Sequence, residues 1–407
     1  MSELRLADRM AGLGTETAFE VLARARELER QGKSIVHLEI GEPDFDTPEH
    51  IKQAAEKALA DGYTHYTPSA GLHEAREAIA EHVAATRGIP VDPSEVVITP
   101  GSKPIMFFAI LALVNPGDEV ICPDPGYPIY ESVVQFVGGV PKPLPLREER
   151  GFRVDPDELA ALVTPKTRLV VLNSPHNPCG SVLTRDDLVA IAGALSRSDA
   201  LVLADEIYWQ IAYDATHYSL AALPGMQDRT IILDGFSKAY AMTGWRLGFG
   251  VMRKDLAAKM ARLMVNVASC AAAFTQIAGI AALRGPQEPV RAMVSEFRRR
   301  RDVIVDGLNA IDGVTCTRPH GAFYAFPNVT RIDPDSKRLA DFLLTEAGVA
   351  CLSGTAFGRY GQGYLRFSYA NSVEQIKEGL SRMKEALKRY PVIAGTVERS
   401  SQSAQRQ

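Results

Sequence analysis

The chain has 407 residues, with 45 lysines and arginines against 49 aspartates and glutamates, a net charge of −4, and a hydrophobic share of 46%. That length exceeds what one hydrophobic core ordinarily organises, so two domains, or one large domain with an appendage, are expected. The mild acidity argues against a nucleic-acid surface, the longest apolar run (Pro104 to Val114) is too short to cross a bilayer, and Met1 to Met10 carry charges with no apolar core of a secretory leader.

In chain order, a helix around Ala18 to Gln31 is expected to join a smaller domain near the C-terminus. A second helix should start at Asp46-Thr47-Pro48-Glu49, with a capping side chain, then proline at the first helical position, then an acid. The stretch from Gly71 to Arg87 places Leu72, Ala75, Ile79, His82 and Val83 on one face and ends at Gly88. His82 on that stripe is read as a packed or surface histidine rather than a ligand. Five short apolar runs follow: 96–99, 120–122, 169–172, 201–203 and 231–233. Each is continuous rather than alternating, and each gives way to Gly, Pro, Asn or Asp, as strands buried on both faces of a parallel sheet do. From about residue 291 the pattern changes to a long charged helix, then to strand-like pieces at 322–326 and 364–369, and to a last helix after Asn371. The run Arg298-Arg299-Arg300-Arg301 in the long helix is read as a solvated face. The expected division is an N-terminal arm and helix (1–45), a large α/β domain with a mainly parallel sheet flanked by helices (46–290), a small α+β domain (291–394) and a disordered tail (395–407). Cys122, Cys179, Cys270, Cys316 and Cys351 are scattered without C-x-x-C spacing, which suits reduced thiols in the cytoplasm.

Ligands of such sheets sit at the carboxyl ends of the strands, so the residues just past each run are where chemistry is sought. Lys238, in Asp234-Gly235-Phe236-Ser237-Lys238, lies past one of them. A lysine desolvated there becomes a nucleophile toward carbonyls; in a solvent-facing loop it would not. Arg246, eight residues on, favours the first reading, because a guanidinium beside the amine suits an anion such as a phosphate between them. Asp205 closes another apolar run, either as a helix cap or as a buried carboxylate of the kind that keeps a pyridine nitrogen protonated, and Tyr208 follows it. Asn177 sits in a Pro- and Gly-rich turn (173–180) where its side chain either reaches a bound oxygen or serves only the turn. The Thr99-Pro100-Gly101-Ser102-Lys103 turn enters a helix and offers free N–H groups to a phosphate, though many such turns look alike. Tyr127 is either a ring-stacking aromatic or a core tyrosine. Arg366, between apolar neighbours, calls for a carboxylate, from a substrate or from the protein itself.

These motifs occur in order: Gly41-Glu42-Pro43-Asp44-Phe45-Asp46-Thr47-Pro48, Asn177-Pro178-x-Gly180, Asp205-Glu206-Ile207-Tyr208, Ser237-Lys238, Thr243-Gly244-Trp245-Arg246 and Arg366. Over roughly Thr17 to Arg389 the chain resembles the class I, fold type I aminotransferases of the aspartate aminotransferase branch. The resemblance implies pyridoxal phosphate carried on Lys238, which then shuttles a proton at the substrate Cα. It implies Asp205 on the ring nitrogen, Tyr208 and Asn177 on the ring's phenolic oxygen, and Tyr127 stacked on the ring. Arg246 with Gly101, Ser102 and Lys103 would bind the phosphate, with Ser237 in an open role. Arg366, with Asn177 and the Gly41 backbone nearby, would hold the substrate α-carboxylate. Tyr66 matches a tyrosine that reaches the phosphate of the neighbouring subunit, which implies a homodimer with shared sites. Lys103 also matches a lysine that reads the side carboxylate of aspartate or glutamate.

Two positions depart from the pattern: Gly235 stands where many relatives have a phosphate-binding serine, and Tyr127 replaces a tryptophan of many aspartate-preferring enzymes. The expected activity is ping-pong transfer of an α-amino group from an L-amino acid to a 2-oxo acid. Glutamate with 2-oxoglutarate is the first pair, aspartate comes next, and aromatic donors lie within reach. The same scaffold also serves β-lyases, oxidases and specialised biosynthetic aminotransferases. A non-catalytic regulatory module is opposed by the retained Lys238, Asp205 and Arg366. No metal is expected.

Overall fold

The computed structural model describes residues 4–390, so the tail expected from residue 395 lies outside the described residues. Helix α1 (Thr17–Arg30) leads to β1 (Val36–His37), which pairs in parallel with Val349–Ala350 far along the chain. Helix α2 (Glu49–Ala60) begins one residue later than its sequence suggests. Pro48 is its N-cap, and Thr47 spends its hydroxyl on the Ala241 carbonyl (2.7 Å) instead of on the helix end. Helix α3 (His73–Arg87) stops at Gly88, whose left-handed φ of 69° suits a residue without a Cβ.

The large sheet then builds up as β2 (Val96–Thr99), α4 (Lys103–Leu113), β3 (Glu119–Asp124), α5 (Ile129–Phe136), β4 (Val140–Pro145), α6 (Pro156–Leu162), β5 (Thr167–Asn173), α7 (Arg185–Ala194), β6 (Leu201–Asp205), β7 (Thr230–Gly235) and β8 (Gly248–Val251). Its order is β2-β8-β7-β6-β5-β3-β4. The five strands from β7 to β4 are parallel, while β8 runs antiparallel to both β7 and β2. All residues of β3 and β7 are buried, which is why these strands read as unbroken apolar runs rather than alternating ones. Strands β4 and β8 were not expected. β4 carries Pro141, Pro143 and Pro145, tolerable because it is an edge strand whose alternate N–H groups face away from its neighbour. β8 reads Gly-Phe-Gly-Val, and a Cβ on Gly248 would collide with the backbone of Gly101 and Ser102, so the glycine that hides the strand is what lets the next turn approach it.

Helices α8 (Lys254–Ala268) and α9 (Ala273–Arg284) complete the large layer, α9 packing on α2 and α3. Beyond them come α10 (Glu288–Asn309), β9 (Tyr324–Ala325), α11 (Ser336–Phe342), β10 (Val349–Ala350), β11 (Leu352–Ser353), β12 (Leu365–Ser368) and α12 (Val373–Leu387). Strands β11, β12 and β9 form a small antiparallel sheet, α12 packs on α10, and α1 lies against β10 and β11 with Arg24 bonded to Asp341 at 2.6 Å. The fold class is the one expected, a mainly parallel sheet flanked by helices with a smaller α+β unit.

The arginine run of α10 is a correction. Arg298 and Arg299 are exposed, but Arg300 and Arg301 are buried. Arg300 reaches Asp44 (2.6 Å) and lies over the Phe45 ring, and Arg301 pairs with Asp214 and gives a further bond to the Pro319 carbonyl (3.2 Å). Half of the run therefore ties the 41–47 and 212–214 loops to the long helix. Among the described residues no helix is long and apolar enough to cross a membrane, and all five cysteines are free thiols.

Candidate active site

The carboxyl ends of β3, β5, β6 and β7 open onto one cavity of about 470 Å³. Asn173 pairs with Asp205, and Asp205 with Leu233, across neighbouring strands, and all three line the cavity because residues in register present the same face. Asp205 is 8% exposed and receives the Tyr130 hydroxyl at 2.5 Å and the Ile207 N–H at 3.2 Å. Burial pushes its carboxyl up to about 6, against the pull of Tyr130 and Ile207. Tyr130 was not foreseen: it lies three residues past Tyr127 in a helix whose apolar face hides it, and only the fold brings it to Asp205.

Lys238 gives its amine to the Gly41 carbonyl at 2.5 Å. Desolvation brings that amine down to about 8, partly opposed by Glu42 and Glu16, so a neutral and nucleophilic form is accessible near neutrality. Gly41 is required where it stands, because a Cβ there would run into the Tyr324 hydroxyl. Tyr324, also unforeseen, shares a hydrogen bond of 2.8 Å with Tyr208 and lies under the Arg366 guanidinium, 4.5 Å from its ring centre. Arg366 is 4% exposed, donates to the Glu39 carbonyl, and approaches Asn177 Oδ1 at 3.4 Å. Burial holds its pKa below the usual range. The internal carboxylate that a buried arginine calls for is absent from its hydrogen-bond partners among the described residues, and its Nε has no partner there at all.

At the other end of the cavity Arg246, in left-handed conformation, stands over Gly101 and donates to the Thr243 carbonyl at 2.7 Å. A Cβ on Gly101 would collide with its guanidinium. Ser102 gives its hydroxyl to the Asp234 carbonyl at 2.9 Å, and a Cβ on Gly235 would collide with the Ser102 Oγ and lie 2.9 Å from Gly248 Cα. This explains why glycine stands where a serine was the alternative: the space belongs to Ser102. Ser237 lines the cavity. Lys103 and Tyr127 both bond Glu16 from the start of α1, the tyrosine at 2.9 Å. Of the residues singled out from sequence, Gly101 lies behind the lining and Tyr66 apart from it, 88% exposed. Glu16 and Phe357 join the lining without having been singled out, and Glu42 and Thr243, quoted only within motifs, line it too.

Residues 33–383 match the family described as aminotransferase class I and II. The chain belongs to that family. It is 42% identical over 360 residues to an aspartate aminotransferase of Pyrococcus abyssi, covering 88% of this chain and 92% of that one. It is 39% identical over 394 residues to aromatic-amino-acid aminotransferase 2 of Thermococcus litoralis, covering 96% and 100%. A solved structure of the aspartate aminotransferase of Thermus thermophilus with maleate superposes with a TM-score of 0.90 at 39% identity, over 94% of this chain and all (100%) of that one.

The residues present fit the cofactor of class I aminotransferases. The cavity offers a buried carboxylate for a pyridinium, an amine already lowered toward reactivity, and an arginine over a glycine turn for a phosphate. It also offers the buried, partnerless Nε of Arg366 for an anion.

A second charged cluster lies directly behind this one. One residue beyond Asp205 and Leu233, the chain presents Glu206 and Asp234 to the opposite face, where Arg87 of α3 meets both, at 2.9 and 2.6 Å. Trp209 covers the guanidinium at 4.0 Å, Ser219 donates to Glu206 at 2.6 Å, and His217 lies 3.3 Å from it. Burial pushes Glu206 up, but His217 and Arg87 outweigh it and bring the carboxyl to about 2. For Asp234 burial wins over Arg87, and its carboxyl sits at about 6.

Proposed function

We propose that this cavity is where the aminotransferase moves the α-amino group of an L-amino acid to a 2-oxo acid, in two half-reactions at one site, with pyridoxal phosphate as cofactor. When bound, that cofactor supplies an aldehyde for amines to condense with and a pyridinium ring that accepts the electron pair released at Cα. Asp205, fixed by Tyr130, would keep a proton on the ring nitrogen. Tyr208, supported by Tyr324, and Asn177 would hydrogen-bond the ring's phenolic oxygen, and Tyr127 would stack on the ring. Arg246 and the Gly101–Ser102 turn would bind the phosphate, with Ser237 and Lys103 beside them. Lys238 would hold the cofactor through its amine between turnovers and, once a substrate amine has displaced it, would act as the base that takes the proton from the substrate Cα. Arg366 binds the α-carboxylate and so presents Cα to Lys238. Two copies form a dimer in which Tyr66 reaches the neighbour's phosphate; its exposure and distance from its own cavity support this. The five free thiols support work in the cytoplasm.

Glutamate with 2-oxoglutarate is the principal pair, aspartate next, and aromatic amino acids further donors. Relatives named for both aspartate and aromatic substrates support this breadth, as does the binding of maleate, a dicarboxylate, by the Thermus protein. The observation that carries the reading is the convergence of Lys238, Asp205 and Arg366 in one buried space. The test is a donor screen on the yellow holoenzyme without acceptor: glutamate should bleach the cofactor band, and Lys238→Ala should lack that band from the start. A Lys238→Ala protein that kept both the band and turnover would refute the assignment. A β-lyase would instead release a fragment of the side chain in the same screen.

A further inference from the structure

Most cavity charges have a proposed counterpart: Asp205 the ring nitrogen, Arg246 the phosphate, Arg366 the α-carboxylate, and Lys103 either the phosphate edge or a substrate side carboxylate. Glu16 has none. Glu16 is the N-cap residue of α1, yet its side chain makes no capping bond. It turns across the cavity mouth, where one oxygen accepts from both the Lys103 amine and the Tyr127 hydroxyl. The Lys103 amine also lies 5.7 Å from the centre of the Tyr127 ring. The carboxylate is 20% exposed and its lysine 52%, so both remain within reach of water and of whatever side chain a substrate brings.

We propose that Glu16 is a specificity-determining residue, an internal counter-ion that lets one site accept both acidic and uncharged side chains. This rests on the proposed aminotransfer, in which Arg366 fixes the α-carboxylate. With an aromatic donor, the Glu16–Lys103 pair stays closed, so the ring covers a neutral pair rather than a bare ammonium, and the cost of burying an unpaired charge is avoided. With an acidic donor, the distal carboxylate takes Lys103 from Glu16, whose side chain turns out to solvent. The acidic substrate must therefore displace a carboxylate already present, which lowers the preference a free lysine would give it.

The test compares wild type, Glu16→Gln, Lys103→Met and the double variant, each as holoenzyme. One readout is the single-turnover rate with aspartate and with phenylalanine; the other is the Kd of two unreactive ligands, succinate and 3-phenylpropionate. Glu16→Gln should raise the aspartate-to-phenylalanine ratio roughly three- to tenfold and tighten succinate by a similar factor, while weakening 3-phenylpropionate. Lys103→Met, which leaves Glu16 facing the incoming carboxylate, should lower the ratio further than the double variant does. If Glu16→Gln changes both donors and both ligands alike, with turnover intact, the assignment of Glu16 is overturned and aminotransfer stands. If no donor turns over while succinate still tightens in Glu16→Gln, the pairing stands and the proposed function falls.

Discussion

Replacing Arg87 by methionine should destabilise the protein far more than loss of one surface charge would. The side chain is 0% exposed and serves two carboxylates that are themselves nearly inaccessible, at 4% and 2%. Removing one partner of a buried ion pair costs about 3–5 kcal/mol, because the charge left behind cannot recover its hydration. Unfolding entropy of about 2.1 cal/mol/K per residue gives roughly 0.85 kcal/mol/K over 407 residues, so the expected fall in Tm is about 4–6 °C. The deficit should depend on pH. With Arg87 gone, Asp234, which burial already holds at about 6, is pushed higher still, while Glu206 keeps His217 and Ser219, so the penalty is full at neutral pH and shrinks as the pH falls and Asp234 takes up a proton. Thermal and denaturant unfolding of the apoprotein at pH 7.5 and 5.5 would measure this. The triple variant Arg87→Met, Glu206→Gln, Asp234→Asn should recover most of the loss. A single variant within 1 °C of wild type at pH 7.5, or a deficit that grows on acidification, would refute the reasoning.

The Lys238 amine, brought down to about 8 by burial, is charged below that pH and neutral above it, so the rate at which the apoprotein takes up pyridoxal phosphate should rise through about pH 8. A midpoint near 10 by stopped-flow absorbance would contradict the burial argument. Arg366→Lys should weaken the KM for every amino acid by roughly a hundredfold while the yellow band stays, since about 2–3 kcal/mol of bidentate charge-assisted bonding is lost from the substrate and none from the cofactor. Gly41→Ala forces its new methyl into the Tyr324 hydroxyl and should slow turnover at least tenfold by displacing the carbonyl that holds the Lys238 amine. His176 is buried and held neutral down to about 3, so the folded state loses stability as pH drops below 6.5, and His176→Gln should flatten that part of the acid unfolding curve.

The sequence was most legible where chemistry sits at the end of an apolar run. Lys238, Asp205 and Asn177 are two to five residues past the continuous hydrophobic runs that burial on both faces writes into these strands. Where a residue acquires its role only through a distant neighbour, nothing local announces it. Tyr130 meets Asp205 across 75 positions, Tyr208 meets Tyr324 across 116, and Glu16 meets Lys103 across 87. Tyr130 and Tyr324 look like core tyrosines, and Glu16 like a helix-start acid. The arginines of α10 misled for a related reason: four consecutive residues cover every side of a helix, so a charged run must turn part of itself inward, and only the partners (Asp44 and Asp214) decide which part. Strand β8 was hidden by the glycines that make it possible.

The two acids at 205 and 206 stand back to back at the end of one strand, the first its last residue and the second just past it. A slip of β6 by one place in its pairing would swap them, sending the acid proposed for the ring nitrogen to the arginine and the acid that pairs with Arg87 into the cavity. Insertions should therefore be tolerated in the loops that follow this strand but not within it, and a length change there ought to abolish coenzyme binding and folding in the same stroke.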